Sequence, residues 1–247
     1  MSLLDAVSVP RRTMTLFFLI DKSGSMSGQK IGAVNDAVVN VLPMLDEITA
    51  SNPDAEIKVA ALEFSSGASW LYSEPKLASD FAWRDVQAGG LTSLGEAFTQ
   101  LEAKLHQKGG FMGSGSGSYA PAIILLSDGG PTDNYQSGLT KLQQNSWFKS
   151  AIRIAVAIGN DADKGVLAEF TGNPEGVFEV HNIEALKQII RIVAVTSSQI
   201  GSKSSTAGDT TKNDQVIEEV AKQIDNVDGA SQTAAQPSSS ASYDDWD

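Results

Sequence analysis

The 247-residue chain contains no cysteine, which excludes disulfides and thiolate metal sites and makes a reducing compartment the expected setting. Histidine is almost as scarce: His106 and His181 lie far apart, with no ligand pattern around either. No apolar run is long enough to span a bilayer. The opening MSLLDAVSVPRRTMTLF has an acid at position 5 and no base before Arg11, which is not the order of a secretion signal. Positive charge is also short, with 18 Lys and Arg against 30 Asp and Glu, and this argues against unaided binding to nucleic-acid phosphates. Residues 1–202 carry 21 acids and 15 bases and residues 203–247 carry 9 and 3, so the short tail is by far the more acidic part. A soluble, cytoplasmic protein with neither membrane nor nucleic-acid partners is expected.

What the chain does have is concentrated in Leu16–Ser27, LFFLIDKSGSMS. Five consecutive apolar residues read as a strand covered on both faces, as in a parallel sheet. Asp21, Ser23 and Ser25 follow at spacings of two, which in an extended turn directs three short oxygen ligands the same way. Oxygen ligands at close quarters suit a hard divalent cation, Mg2+ first, with Mn2+ or Ca2+ as alternatives.

Ile31, Val34, Val38, Val41, Leu42, Leu45 and Ile48 mark one face of a long helix, with a kink expected at Pro43. Residues 56–64 and 68–72 read as a hairpin, and hence as an antiparallel edge of the sheet. A second helix runs from Leu94, with Thr92 or Ser93 as its N-cap. Gly109–Ser118 reads as a flexible surface connection. Strands at 122–127, 152–159 and 177–180 alternate with helices ending in one built on Ile183, Leu186, Ile189, Ile190 and Val193. The fold class is therefore α/β: a doubly wound, mostly parallel sheet with one antiparallel edge strand. The expected organisation is an N-terminal extension (1–12), a domain (13–200) and an acidic, largely disordered tail (201–247), with a short helix at 215–225 read as transient.

Asp21-Lys-Ser23-Gly-Ser25 resembles the opening motif of the metal-ion-dependent adhesion site (MIDAS) of von Willebrand factor A (VWA) domains. Thr92 in Gly89-Gly-Leu-Thr92-Ser-Leu94 is similar to the family's second element, and Asp128 in Ile123-Ile-Leu-Leu-Ser-Asp128-Gly129 to its third, in the family's order. The resemblance covers about residues 13–198. It implies a non-enzymatic, metal-dependent protein-binding module in which Asp21, Ser23, Ser25, Thr92 and Asp128 hold the cation, and an acidic residue of a protein partner completes the shell. Asp128-Gly-Gly-Pro-Thr-Asp133 further resembles the bacterial cytoplasmic TerY type, associated with tellurite resistance. That likeness implies an adaptor in a stress response, alongside a protein kinase, a PP2C-type phosphatase and Ter-system proteins. The cysteine-rich C-terminal module that some members of that type carry is missing.

Two other readings compete. Asp21-Lys-Ser-Gly-Ser also looks like the phosphorylation loop of P-type pumps and haloacid-dehalogenase phosphatases, which would make Asp21 the nucleophile of a Mg2+-dependent phosphohydrolase. Against this stand Ser23, where such phosphatases usually carry a second acid, and Thr92, which that chemistry leaves unused. A structural scaffold with an incidental metal is the third reading. The terminal Ser242-Tyr-Asp-Asp-Trp-Asp247 adds a carboxylate cluster that could reach the site in cis.

Overall fold

The computed structural model describes residues 11–114, 116–128, 130–202 and 211–232. Strand β1 (Arg12–Asp21) leads into helix α1 (Gln29–Ser51), strands β2 (Ala55–Phe64), β3 (Ala68–Trp70) and β4 (Lys76–Leu77), and helix α2 (Leu94–Lys104). Then follow β5 (Ala122–Ser127), α3 (Tyr135–Gln144), α4 (Ser146–Ser150), β6 (Ile152–Ile158) and α5 (Lys164–Thr171). The described chain ends with β7 (Val177–Val180), α6 (Ile183–Gly201), α7 (Lys212–Ile224) and β8 (Ala230–Gln232).

All eight strands form one sheet in the order β3-β2-β1-β5-β6-β7-β8, with β4 also on β2. The central β1 pairs in parallel with β2 on one side and β5 on the other. Side chains of a strand alternate between faces, and the all-apolar run of β1 uses both. Met14, Leu16, Phe18 and Ile20 pack with residues of α1, α6 and α7, while Phe17 and Leu19 pack with α2, α3 and α5. From β1 the chain crosses to β2 on one side and only later to β5 on the other, so the strand order reverses between β1 and β5. A crevice opens beyond the carboxyl ends of strands at such a point, and Asp21 closes β1 there while Asp128 follows directly on β5.

The hairpin of β2 and β3 supplies the expected antiparallel edge. At the other edge the structure adds what the sequence reading did not contain: β8 pairs antiparallel with β7. It arrives there through α7, which was expected as a transient helix in a disordered tail. Instead Val216, Ile217, Val220 and Ile224 are at most 3% exposed against the core, and Asn213 accepts the Arg153 N–H at 2.8 Å. A helix of 13 residues is marginal alone, and burial of its apolar face holds it. Residues 211–232 thus belong to the sheet and its helical layer, and Arg12, assigned to the extension, already lies in β1. The Gly109–Ser118 run is also tied down. Phe111 sits 4.9 Å from Trp70 and 6.3 Å from Phe17, and Thr13 donates to Gly117 O while Tyr119 donates to Thr13 O. α1 runs through Pro43 without interruption. Residues 1–10 and 233–247, with the terminal carboxylate cluster, lie outside the described residues.

Candidate functional site

Four of the five expected site residues meet directly where β1 and β5 end. Asp21 is fully buried, and both of its oxygens are engaged: Oδ1 accepts the Ser23 N–H at 2.8 Å and Oδ2 the Ser127 hydroxyl at 2.7 Å. The Ser23 and Ser25 hydroxyls are 3.1 Å apart, and Ser25 donates to Asp128 Oδ1 at 2.8 Å. Asp128 is likewise fully buried, and Lys30, near the start of α1, donates to its Oδ2 at 2.9 Å. Ser23 is buried while Ser25 is exposed, so the cluster opens to solvent on the Ser25 side.

Thr92, 6% exposed, is fixed through its main chain. Its N–H donates to Thr132 Oγ1 at 3.0 Å, and the Thr132 N–H returns to Thr92 O at 2.9 Å. The loop before it is drawn to the β1 end by Gly24 N–H to Gly90 O at 3.0 Å and Gly89 N–H to Lys22 O at 2.7 Å. Gly90 has φ +90°, and a Cβ there would fall 2.6 Å from Ser66 Oγ, so only glycine lets this loop come so close.

The N-cap expectation for α2 holds in position but not in bonding. Ser93 occupies the cap position but makes no side-chain cap bond. The cap comes from another loop: Asp133 Oδ1 accepts the Gly95 N–H at 3.0 Å and Oδ2 the Glu96 N–H at 3.1 Å. A carboxylate at a helix N-terminus satisfies orphan donors and meets the positive end of the helix dipole. Thr132 and Asp133 therefore clamp the Thr92 loop and the start of α2 to the loop after β5. Sequence reasoning found neither of these roles, nor those of Ser127 and Lys30. The Pro131-Thr-Asp133 spacing was the available signal, but its partners lie about 40 residues away in the chain.

Burial pushes the Asp21 carboxyl above the ordinary carboxylate range. The bonds from Ser127 and Ser23 pull it back, and the neighbouring Asp128 charge adds to the rise. Two buried carboxylates with hydroxyls between them form an oxygen-only donor set that a divalent cation would suit. Among the described residues, no three His, Cys, Asp or Glu side chains cluster as metal ligands. A cation here would rest on Asp21 and Asp128 with Ser23, Ser25 and Thr92, so hydroxyls would supply most of the donors.

A family model for the von Willebrand factor type A domain matches residues 15–192. The chain belongs to the von Willebrand factor type A domain family. Among solved structures it is similar to a von Willebrand factor type A protein from Catenulispora acidiphila, at 16% identity and TM-score 0.56, covering 76% of this chain and 43% of that one. It is also similar to proximal thread matrix protein 1 from the mussel byssus with a zinc-occupied MIDAS motif, at 15% identity and TM-score 0.57, covering 76% and 48%. A third similar structure is a D319A mutant of the PilB minor pilin from Streptococcus sanguinis, at 14% identity and TM-score 0.53, covering 79% and 63%. At these identities the likeness shows the fold. The VWA chain spans less than two thirds of the length of each of these structures. No match was found among curated protein sequences. Among the described residues, no helix is long and apolar enough to cross a membrane.

Proposed function

We propose that this VWA domain is a metal-dependent protein-binding module without catalytic activity, holding a divalent cation, Mg2+ first, at Asp21, Ser23, Ser25, Thr92 and Asp128. The observation that carries the reading is the Ser23–Ser25–Asp128 chain of oxygens, closed below by Asp21 and open to solvent at Ser25. With neutral hydroxyls as most of its donors, a bound cation would stay electrophilic enough to attract a carboxylate from a protein partner. Leu91, 61% exposed beside Thr92, gives that partner an apolar contact at the rim. Zinc occupies the MIDAS motif of the mussel byssus relative, which supports a cation at the matching motif here.

The geometry favours this reading over phosphoryl transfer. A nucleophilic aspartate must present an oxygen to the incoming phosphorus. Asp21 is fully buried and has Ser23 on one oxygen and Ser127 on the other. The narrower proposal, an adaptor in a cytoplasmic tellurite or stress response with a kinase, a PP2C-type phosphatase or Ter-system proteins as partners, rests on the Asp128–Asp133 segment alone. Calorimetric titration with Mg2+ and Mn2+ tests the site, with binding expected for the wild type and lost in Asp21→Ala. Capture of partners with and without chelator tests the module. A wild-type chain that binds neither cation overturns the proposal.

A further inference from the structure

Lys30 is a residue that neither the opening motif nor the donor count calls for, yet the structure builds a place for it. It enters from the first turn of α1, and its side chain is only 13% exposed. Its ammonium lies 2.9 Å from Asp128 Oδ2 and 4.0 Å from Asp161 Oδ1, a carboxylate that is 71% exposed. The turn after β6 gives way to it: Gly159 has φ +88°, and a Cβ there would stand 3.2 Å from Lys30 Nζ and 3.6 Å from its Cε. Lys30 is thus held between the ends of β5 and β6, with its charge against one of the two carboxylates that would hold the cation.

We infer that Lys30 couples the two ligands of the site, opposing a cation that binds alone and favouring the carboxylate that follows it. This rests on the cation reading proposed above. As cation ligands Asp21 and Asp128 bring two negative charges and Lys30 one positive, while Asp161 is largely exposed and screened by solvent, so the buried centre carries one negative charge. A divalent cation turns that into one positive charge, and a single incoming carboxylate then neutralises the centre. Without Lys30, the cation would neutralise the two carboxylates by itself, and the incoming anion would meet no net positive charge. Unit charges a few ångströms apart in a partly buried setting interact strongly enough to move an equilibrium by about tenfold or more. Lys30 therefore weakens the metal and strengthens the anion, so that cation and partner bind as a pair. The arrangement selects an acidic partner over a neutral oxygen donor, because a full negative charge gains more from the leftover positive charge than a dipole does.

The test uses the full chain, Mn2+ as the cation and acetate as the carboxylate. Calorimetry reads Mn2+ affinity. The water-proton relaxation of bound Mn2+ reads acetate binding, since acetate displaces a metal-bound water. Lys30→Met keeps the length of the side chain and removes its charge. The expected result is Mn2+ binding about tenfold tighter in the absence of acetate, and acetate binding to the Mn2+-loaded protein about tenfold weaker. Lys30→Gln should move both affinities in the same directions, and it serves as the readout if Lys30→Met does not fold. Unchanged Mn2+ affinity, or a fall in both affinities together, overturns the inference and leaves the cation site standing. A wild-type chain that binds no Mn2+ overturns the site itself, so the two failures are distinct.

Discussion

Replacing Asp133 with alanine should both destabilise the VWA fold and loosen the candidate cation site, although Asp133 is not among the proposed ligands. Its carboxylate accepts the Gly95 and Glu96 N–H groups at 3.0 and 3.1 Å, and Ser93 offers no side-chain alternative. Loss of a helix N-cap costs about 1 kcal/mol, and loss of a negative charge at the helix N-terminus adds about 0.5 to 1 kcal/mol. A total near 2 kcal/mol corresponds to a fall in melting temperature of about 4 to 8 °C for a chain of this size. Asp133→Asn keeps one acceptor and loses the charge, so it should fall between wild type and alanine. The effect on the cation follows from connectivity, because Asp133 adjoins Thr132, which bonds to the Thr92 main chain twice, once through its hydroxyl and once through its own N–H. If the loop spends part of its time detached, apparent Mg2+ affinity drops in proportion to the attached fraction, an expected loss of about threefold to tenfold. Scanning calorimetry with and without Mg2+, followed by isothermal titration, reads both effects. A melting temperature within about 1 °C of wild type would refute the capping argument. A clear fall in stability with unchanged Mg2+ affinity would refute the link from cap to site.

Ser23→Ala combined with Ser25→Ala should abolish cation binding by calorimetry while leaving the circular dichroism spectrum intact, because the strand below them, from Leu16 to Ile20, is fully buried and untouched; unchanged Mg2+ affinity would remove these hydroxyls from the site. Asp21 is the group for a pH prediction: its carboxyl is held above the ordinary range, so in the absence of metal its contribution to stability is present below the unfolded-state value and is lost as pH rises through the raised folded value. Asp21→Asn should flatten that decline in metal-free melting curves and remove Mg2+ binding, and an unaltered pH profile would count against the burial argument. Ile217→Ala removes a side chain that is 3% exposed under α7 and should cost about 3 kcal/mol, or about 6 to 12 °C; urea denaturation indistinguishable from wild type would mean that α7 is not part of the folded unit.

The strand-end positions of Asp21 and Asp128 were legible in the sequence because the chemistry there is local. An apolar run delivers each carboxylate, and spacing by two brings Ser23 and Ser25 with Asp21. The doubly wound sheet was legible for the same reason, since each buried strand and each helical face carries its own periodicity. What stayed hidden was set by contacts between distant segments. Lys30 is one of several lysines until the ends of β5 and β6 enclose it, and Asp133 reads as a turn residue until α2 lies against it. α7 shows only Val216, Ile217, Val220 and Ile224 in a polar stretch. Judged alone, that is too little apolar surface to hold a helix, and the judgement fails because the groove it fills is made by α6 and β6.

The same hydrogen bonds account for the burial of two carboxylates at the ends of neighbouring strands. Each of their four oxygens already has a donor: the Ser23 N–H and Ser127 hydroxyl serve Asp21, and the Ser25 hydroxyl and Lys30 ammonium serve Asp128. Unpaired charge at such depth would be prohibitive, whereas hydrogen-bonded charge is not. A cation would therefore compete with these donors for the same oxygens. Ser25 and Asp128, bonded to each other, are both among the residues that would hold it, so binding would cost part of this hydrogen bonding. The cost of that exchange would lower affinity; Asp21 and Asp128 are already placed by the sheet and Thr92 by Thr132. The expected signature is modest cation affinity with little change in melting temperature beyond mass action, and a site that responds to its second ligand more than to its first.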